Sequence, residues 1–487
     1  MASHLFGRYD DVLCIRSVQE LVFTPCKGYD RQNAGSTFGR WISFLQCDMF
    51  LCNAMDFLPT RSEQMMQQSP GCHFVQRWFS PCFVFLAGAC FFGGLFWCAD
   101  SACAQLTEDD LSLNVQRPAG IRQTDILFDP NKYTAFPHVV RLEGDELLLT
   151  FRQSPREQYT RHSHPQSIIT IMRSYDLGET WDLANATQMA AGGGQELSTI
   201  YLGDGHVGGL LAMHEVVPVA EAHRIGKESP AAWPRAEYPN RGVGGFWCWS
   251  ENFGLNWLLH HTVLFAPGMH PCAAPIRLES GILLAPVYGS LQEGQPTSAV
   301  AHFSRDGGKT WSGATMLAQG SRKTRGYAEP AVLELAPNHL LAMHRVEEAA
   351  NGRDGLFWRN KSLDGGQTWS DPVETELLSG ACVRLMKLSD GRILATYGRR
   401  VKPLGIYARL SDDGGQTWGK TSWLLRECPT MNQGYSSSLE VTPGRVLTVC
   451  YAHDAAVGPT TADGVYMAPN SGITGTFWDL PSRSEDN

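Results

Sequence analysis

One eight-residue phrase, Ser-x-Asp-x-Gly-x-Thr-Trp, constrains this chain more than any other feature. It stands as SYDLGETW at Ser174 to Trp181, SRDGGKTW at Ser304 to Trp311, SLDGGQTW at Ser362 to Trp369 and SDDGGQTW at Ser411 to Trp418, with a worn copy, SENFGLNW, at Ser250 to Trp257. Each residue type in it serves a tight turn. The hydroxyls and Asp bond the local backbone, Gly takes a positive φ, and Trp packs as an apolar plug. A phrase that recurs in this way makes the chain a set of similar supersecondary units.

A second phrase alternates with the first and counts the units. A short apolar strand, a turn and a second apolar strand recur as FPHVVRLEGDELLLTFRQ from Phe136, ELSTIYLGDGHVGGLLAMHE from Glu196, HPCAAPIRLESGILLAPVYG from His270, YAEPAVLELAPNHLLAMHR from Tyr327, GACVRLMKLSDGRILATYGRR from Gly380 and GYSSSLEVTPGRVLTVCYAHD from Gly434. Six copies, with Gly-bounded β-runs and no sustained helical period, predict an all-β chain of six four-stranded sheets. Radial closure protects the edges of such sheets, so the expected architecture is a six-bladed β-propeller. The last unit has no turn phrase, and the tail TADGVYMAPNSGITGTFWDL is expected to supply its closing strands. In a ring of this kind residues at matching places in distant units meet on the axis. That brings together Tyr327-Ala328-Glu329-Pro330 and Gly434-Tyr435-Ser436-Ser437, which open units about a hundred residues apart.

The composition, 43% hydrophobic and 18% charged, is that of an ordinary globular protein, and the net charge of -9 argues against a nucleic-acid partner. The beginning of the chain reads differently. Residues 79–97, FSPCFVFLAGACFFGGLFW, are almost wholly apolar, Arg77 precedes them, and Ala102-Cys103-Ala104 follows as a small-x-small site. This predicts a signal peptide over residues 65–104, cleaved after Ala104, and an exported chain that keeps no stable membrane span. The alternative is an uncleaved anchor. Residues 1–64 are then an over-extended gene start or a disordered leader, and residues 105–487 form the propeller. Nine of the 14 cysteines precede residue 104, leaving Cys248, Cys272, Cys382, Cys428 and Cys450. Without CxxC spacing they predict no disulfide framework, no metal site and no cofactor, but buried thiols.

The repeated turns within six strand pairs resemble the Asp-box (BNR) repeats of the sialidase superfamily of six-bladed β-propellers, and the resemblance covers nearly everything after about residue 120. It implies an exo-α-sialidase type of glycoside hydrolase acting on a glycan with a terminal acidic sugar. In that family a Tyr activated by a Glu attacks the anomeric carbon, an Asp is the acid/base and three Arg hold the substrate carboxylate. Sialidases thereby depart from the usual pair of glycosidase carboxylates. Carried over, YAEPAVLEL nominates Glu329, GYSSSLEV nominates Tyr435, LLAMHR nominates Arg345, and of Arg399 and Arg400 the second is the expected clamp residue. Arg suits this work because its planar fork binds carboxylates bidentately.

Two places depart from the family. Where it has Arg-Ile-Pro this chain has Ala135-Phe136-Pro137, so Arg152 or Arg141 would have to reach the same space. Where it has the acid/base Asp this chain has RQSPREQYTRHSHPQSII, with Arg161, His162 and His164 and no Asp. His138 and His270 open inner-strand phrases and are further candidates for the axis. Two other functions are compatible with these residues. One is a polysaccharide lyase in which His and Tyr abstract the proton beside a uronate carboxylate. The other is a non-catalytic glycan-binding propeller that uses the Pro- and Trp-rich insertion from Val216 to Gly245. The hydrolase requires Glu329, Arg345, Arg400 and Tyr435 to share one axial pocket open to solvent.

Overall fold

The computed structural model describes Phe6–Tyr9, Val12–Ile15 and, with short internal gaps, residues 114–486. The expected leader and signal peptide lie outside the described residues apart from those first two strands, which pair antiparallel with each other.

From Asn114 onward the chain forms six sheets, each built mainly of antiparallel neighbours in sequence order, as the six phrases predict. Blade 1 comprises Lys132–Arg141, Leu147–Pro155, Ile168–Ser174 and Asp182–Ala190; blade 2, Gly194–Gly203, His206–Val216, Asn240–Ser250 and Val263–Pro267. In blade 3 the inner edge is two short pieces, His270–Pro271 and Ile276–Arg277, followed by Leu283–Ser290, Thr297–Ser304 and Thr315–Ala318. Blade 4 comprises Arg325–Ala336, His339–Glu348, Leu356–Ser362 and Val373–Leu378; blade 5, Arg384–Lys387, Ile393–Arg399, Gly405–Ser411 and Thr421–Glu427, with Asn114–Gln116 added in parallel at its outer edge.

Blade 6 corrects one expectation. The tail supplies only its third strand, Ser471–Asp479, after Gly434–Thr442 and Arg445–His453. The fourth is Arg122–Phe128, which precedes blade 1 in the chain and pairs antiparallel with the tail, Phe477 opposite Arg122 and Gly472 opposite Phe128. Both strands had to come from somewhere to cover the edge of the sheet. A strand from the other end of the ring satisfies that edge and also ties the ring shut.

Every turn phrase links the third and fourth strands of its blade. In blade 5 Asp413 Oδ1 accepts from Ser411 Oγ at 2.9 Å and from the Gln416 and Thr417 amides at 2.8 and 2.9 Å, while Thr417 Oγ1 donates to Asp413 Oδ2 at 2.7 Å. The worn copy keeps the frame with Asn252 in place of Asp, accepting from Ser250 Oγ and the Asn256 amide. Apolar residues of neighbouring blades interlock between the sheets, as with Leu341, Phe357, Tyr397, Tyr407 and Trp418. At roughly 1.5–3 kcal/mol for each large side chain buried, these seams are what hold blade to blade.

Candidate active site

At the end of each of the six inner strands, within one residue of its last, stands an apolar residue in register: Leu142, Leu202, Leu278, Leu335, Leu388 and Val441. Counting back six residues from each gives Phe136, Glu196, Cys272, Glu329, Cys382 and Tyr435, one per blade. All six are buried, none more than 3% exposed. At three of them, Phe136, Glu329 and Tyr435, the backbone has φ of +57°, +47° and +49°, and the pairing with the second strand slips at that point. A left-handed residue in a β-bulge re-aims its side chain, and a non-glycine residue holds that conformation only where its surroundings impose it.

Glu329 and Tyr435, predicted from distant units, meet here. Tyr435 Oη donates to Glu329 Oε1 at 2.6 Å, and Arg345 Nη1 donates to the same oxygen at 3.1 Å. Among the described residues Glu329 Oε2 meets no donor. Burial would raise the Glu329 carboxyl, but the guanidinium of Arg345, the Tyr435 hydroxyl and the charges of Arg400 and Arg384 outweigh it and hold the carboxyl below its usual range. Burial, with the Glu329 charge, pushes the Tyr435 phenol well above its ordinary value. The resting pair is therefore phenol and carboxylate, joined by a hydrogen bond short enough to carry a proton between them.

Of the two arginines at the end of the second strand of blade 5, the expected one faces the pair. The Arg400 guanidinium lies 6.0 Å from the Tyr435 ring centroid and donates to Gln433 O at 3.5 Å, whereas Arg399 turns to Lys402 O and the Tyr407 ring. Phe136 takes the blade 1 place, its ring 4.9 Å from that of Tyr435 and 5.5 Å from that of Tyr451. Arg152 lies directly across the strand pair from Ala135, as Arg345 lies across from Ala328, so the two guanidinium groups occupy equivalent registers in blades 1 and 4. Arg152 is fully buried, donates to Ser167 and Ser154 and lies over the Tyr133 ring. Arg141 is at the opposite end of its strand, bonded to Gly144 O, Val441 O and Asp145, and does not reach this space.

Sequence reasoning missed Glu196, the blade 2 member of the set. Its carboxyl lies 3.9 Å from Arg384 Nη2 and beside the Cys272 thiol. Burial pushes this carboxyl up to about 8, with Arg384 opposing and the Glu329 charge adding to the rise. The register alignment was the available signal, but a Glu in a phrase that otherwise reads ELSTIYL resembles no family motif. Cys272, Glu329 and Cys382 each offer an atom within 4.8 Å of the others. Arg345 already donates to that Glu329 and Arg384 to the Cys382 sulfur at 2.6 Å, so a cation there would displace two guanidinium groups. Cys248, Cys272, Cys382, Cys428 and Cys450 are all buried and unpaired, as expected.

The histidines fall elsewhere. His138 Nδ1 is bonded to the hydroxyl and amide of Thr199 at 3.1 and 3.2 Å, and burial, with Arg384 beside it, lowers its ring to about 3. It lines a cavity of about 220 Å³ further along the axis, with Arg384, Ala331, Thr396 and Ser437. His164 is buried against Tyr238 and accepts from the Gln166 amide, a local arrangement. Arg161 and His162 lie outside the described residues. The His270 ring lies tilted against that of His214, centroids 4.3 Å apart, and burial lowers it to about 4 against the pull of Glu329. In the insertion of blade 2 a short 3-10 helix, Val219–Ile225, is followed by residues 227–237, which are outside the described set.

Fold and turn phrases together define a six-bladed β-propeller with BNR-type repeats. A BNR repeat-like domain model matches residues 230–447. Among solved structures the chain is similar to a Dyadobacter fermentans protein of unknown function at 22% identity, covering 74% of this chain and all of that one with a TM-score of 0.60. It is also similar to the Hadza microbial sialidase Hz136, at 18% identity over 71% of this chain and 66% of that one, and to a Penicillium chrysogenum α-L-arabinanase, at 12% over 73% and 97%, each with a TM-score of 0.50. These likenesses concern the fold. No curated protein matches the chain. Among the described residues no helix is long and apolar enough to cross a membrane.

Proposed function

We propose that the protein is a retaining glycoside hydrolase for a terminal acidic sugar of sialic-acid type, with Tyr435 as nucleophile and Glu329 as its base. The observation that carries this reading is the 2.6 Å bond between Tyr435 Oη and Glu329 Oε1, contributed by blades 6 and 4. A phenol with its proton held tightly attacks only if the proton leaves with the attack, and Glu329 is placed and ionised to take it. The sugar class follows from charge. Arg345 of the same blade and Arg384 and Arg400 of blade 5 all act on Glu329, an excess of positive charge that suits a substrate carboxylate and offers a neutral arabinan nothing. The apolar run before Ala104 supports export of the chain.

The test is release of 4-methylumbelliferone from its sialic-acid glycoside. Wild type turns over; Tyr435→Phe, which removes one hydroxyl, does not. Tyr435 is only 2% exposed and Glu329 3%, so the solvent-open pocket that the hydrolase requires is not formed around the pair in this structure. That burial, with Ala135 in place of the family Arg, favours a second reading as a non-catalytic glycan-binding propeller. Binding of N-acetylneuraminic acid by calorimetry with no turnover of any sialoside would establish the second reading and exclude the first.

A further inference from the structure

Glu329 and Tyr435 account for two of the six equivalent axial positions, and the blade 2 position holds a second buried carboxyl. Resting on the hydrolase reading above, we propose that Glu196 is the general acid/base of the same reaction, in the role for which this chain has no Asp. The geometry is the first ground. Glu196 occupies in blade 2 the register that Glu329 and Tyr435 occupy in blades 4 and 6, and Glu196 and Glu329 flank the Cys272 thiol. Ionisation is the second. The charged and titratable groups that face Glu196 are Arg384, Glu329, Cys272 and the phenols of Tyr288 and Tyr451, and burial with the Glu329 charge outweighs Arg384, which leaves Glu196 protonated at neutral pH while Glu329 stays ionised. Two carboxyls whose surroundings drive their proton affinities apart are the usual form of an acid and base pair.

The step closes in protons and electrons. Tyr435 Oη bonds to the anomeric carbon as the bond from that carbon to the departing oxygen breaks. The phenol proton passes to Glu329, and the Glu196 proton passes to the departing oxygen, which leaves as an alcohol. In the second half Glu196, now a carboxylate, takes a proton from the attacking water. The bond from carbon to Tyr435 breaks, and Glu329 returns the phenol proton. Both carboxyls end as they began.

The test compares methyl and 4-methylumbelliferyl α-glycosides of N-acetylneuraminic acid, whose leaving groups differ in their need for a proton. Glu196→Gln is expected to lose on the order of 10²- to 10⁴-fold in kcat/KM on the methyl glycoside while staying within about tenfold of wild type on the aryl one. Equal losses on both would overturn Glu196 as donor and leave Tyr435 and Glu329 standing, provided Tyr435→Phe still abolishes both. Failure of wild type on both glycosides would overturn the hydrolase reading and this inference with it. Infrared difference spectra of wild type against Glu196→Gln give a readout that needs no turnover. The carboxylic C=O stretch is expected at pH 7 and not above pH 9, and its absence at pH 7 overturns the proposal.

Discussion

Replacing Glu196 by Gln is expected to stabilise the protein, increasingly so as the pH rises. In the folded chain burial raises this carboxyl from an ordinary 4.5 to about 8. Between those values the native state holds a proton that the unfolded chain has released, so wild-type stability falls with pH across that window. At about 1.4 kcal/mol per pH unit the whole window amounts to roughly 5 kcal/mol, fully lost by about pH 8 and absent below about pH 4.5. Gln has the shape of the neutral acid and does not titrate, so the variant escapes the loss. Glu329, with its carboxyl held low, acts in the opposite sense, but it is common to both proteins and cancels in the difference. With an unfolding entropy of about 2.1 cal/mol/K per residue, over the roughly 370 residues from Asn114 on, 5 kcal/mol corresponds to about 6 °C in Tm. Calorimetric scans of the two proteins at intervals from pH 5 to pH 8 measure it. The curves of Tm against pH should diverge, with the variant higher at the alkaline end. Parallel curves would refute the protonated state of Glu196 and the reasoning from its burial.

Two further outcomes concern the scaffold. Asp413→Ala removes the acceptor that holds Ser411, Gln416 and Thr417 in the blade 5 turn and should lower stability by about 1–2 kcal/mol by urea denaturation with kcat unchanged; a fall in kcat at full stability would contradict the assignment of these turns as staples. A chain beginning at Asp129 lacks the fourth strand of blade 6 and should be aggregated or protease-sensitive, with the edge of Ser471–Asp479 uncovered; a monomer as protease-resistant as the full chain would show that the strand does not close the ring.

The scaffold was legible because its signal is repeated. Each turn phrase carries its own hydrogen bonds within eight residues, so the turn follows from local chemistry, and the six strand pairs follow from period and count. Glu329 and Tyr435 were legible for a different reason, their place in phrases that resemble a known family. The blade 6 closure was not, because Arg122–Phe128 is a short amphipathic run whose partner lies at the other end of the chain, and strand pairing at that separation in sequence leaves no local mark. Glu196 was hidden because its importance lies in desolvation, which depends on what Cys272, Arg384 and Glu329 bring to it from three other blades. The assignment of Arg345 shows the same limit from the other side. Its strand end was predicted, but that its guanidinium bonds Glu329 depends on the bulge at Glu329.

The strand that completes blade 6 also sets an order of events. On the ribosome Arg122–Phe128 is made before blades 1 to 5 can be complete, and its partner Ser471–Asp479 after nearly all of the ring, so the molecule stays an open arc through most of its synthesis. Tyr435 belongs to the blade that closes last, and until closure it has no fixed place opposite Glu329. A chain stopped short can stack several blades and still hold no assembled centre, so whatever chemistry the axis performs is reserved for finished molecules.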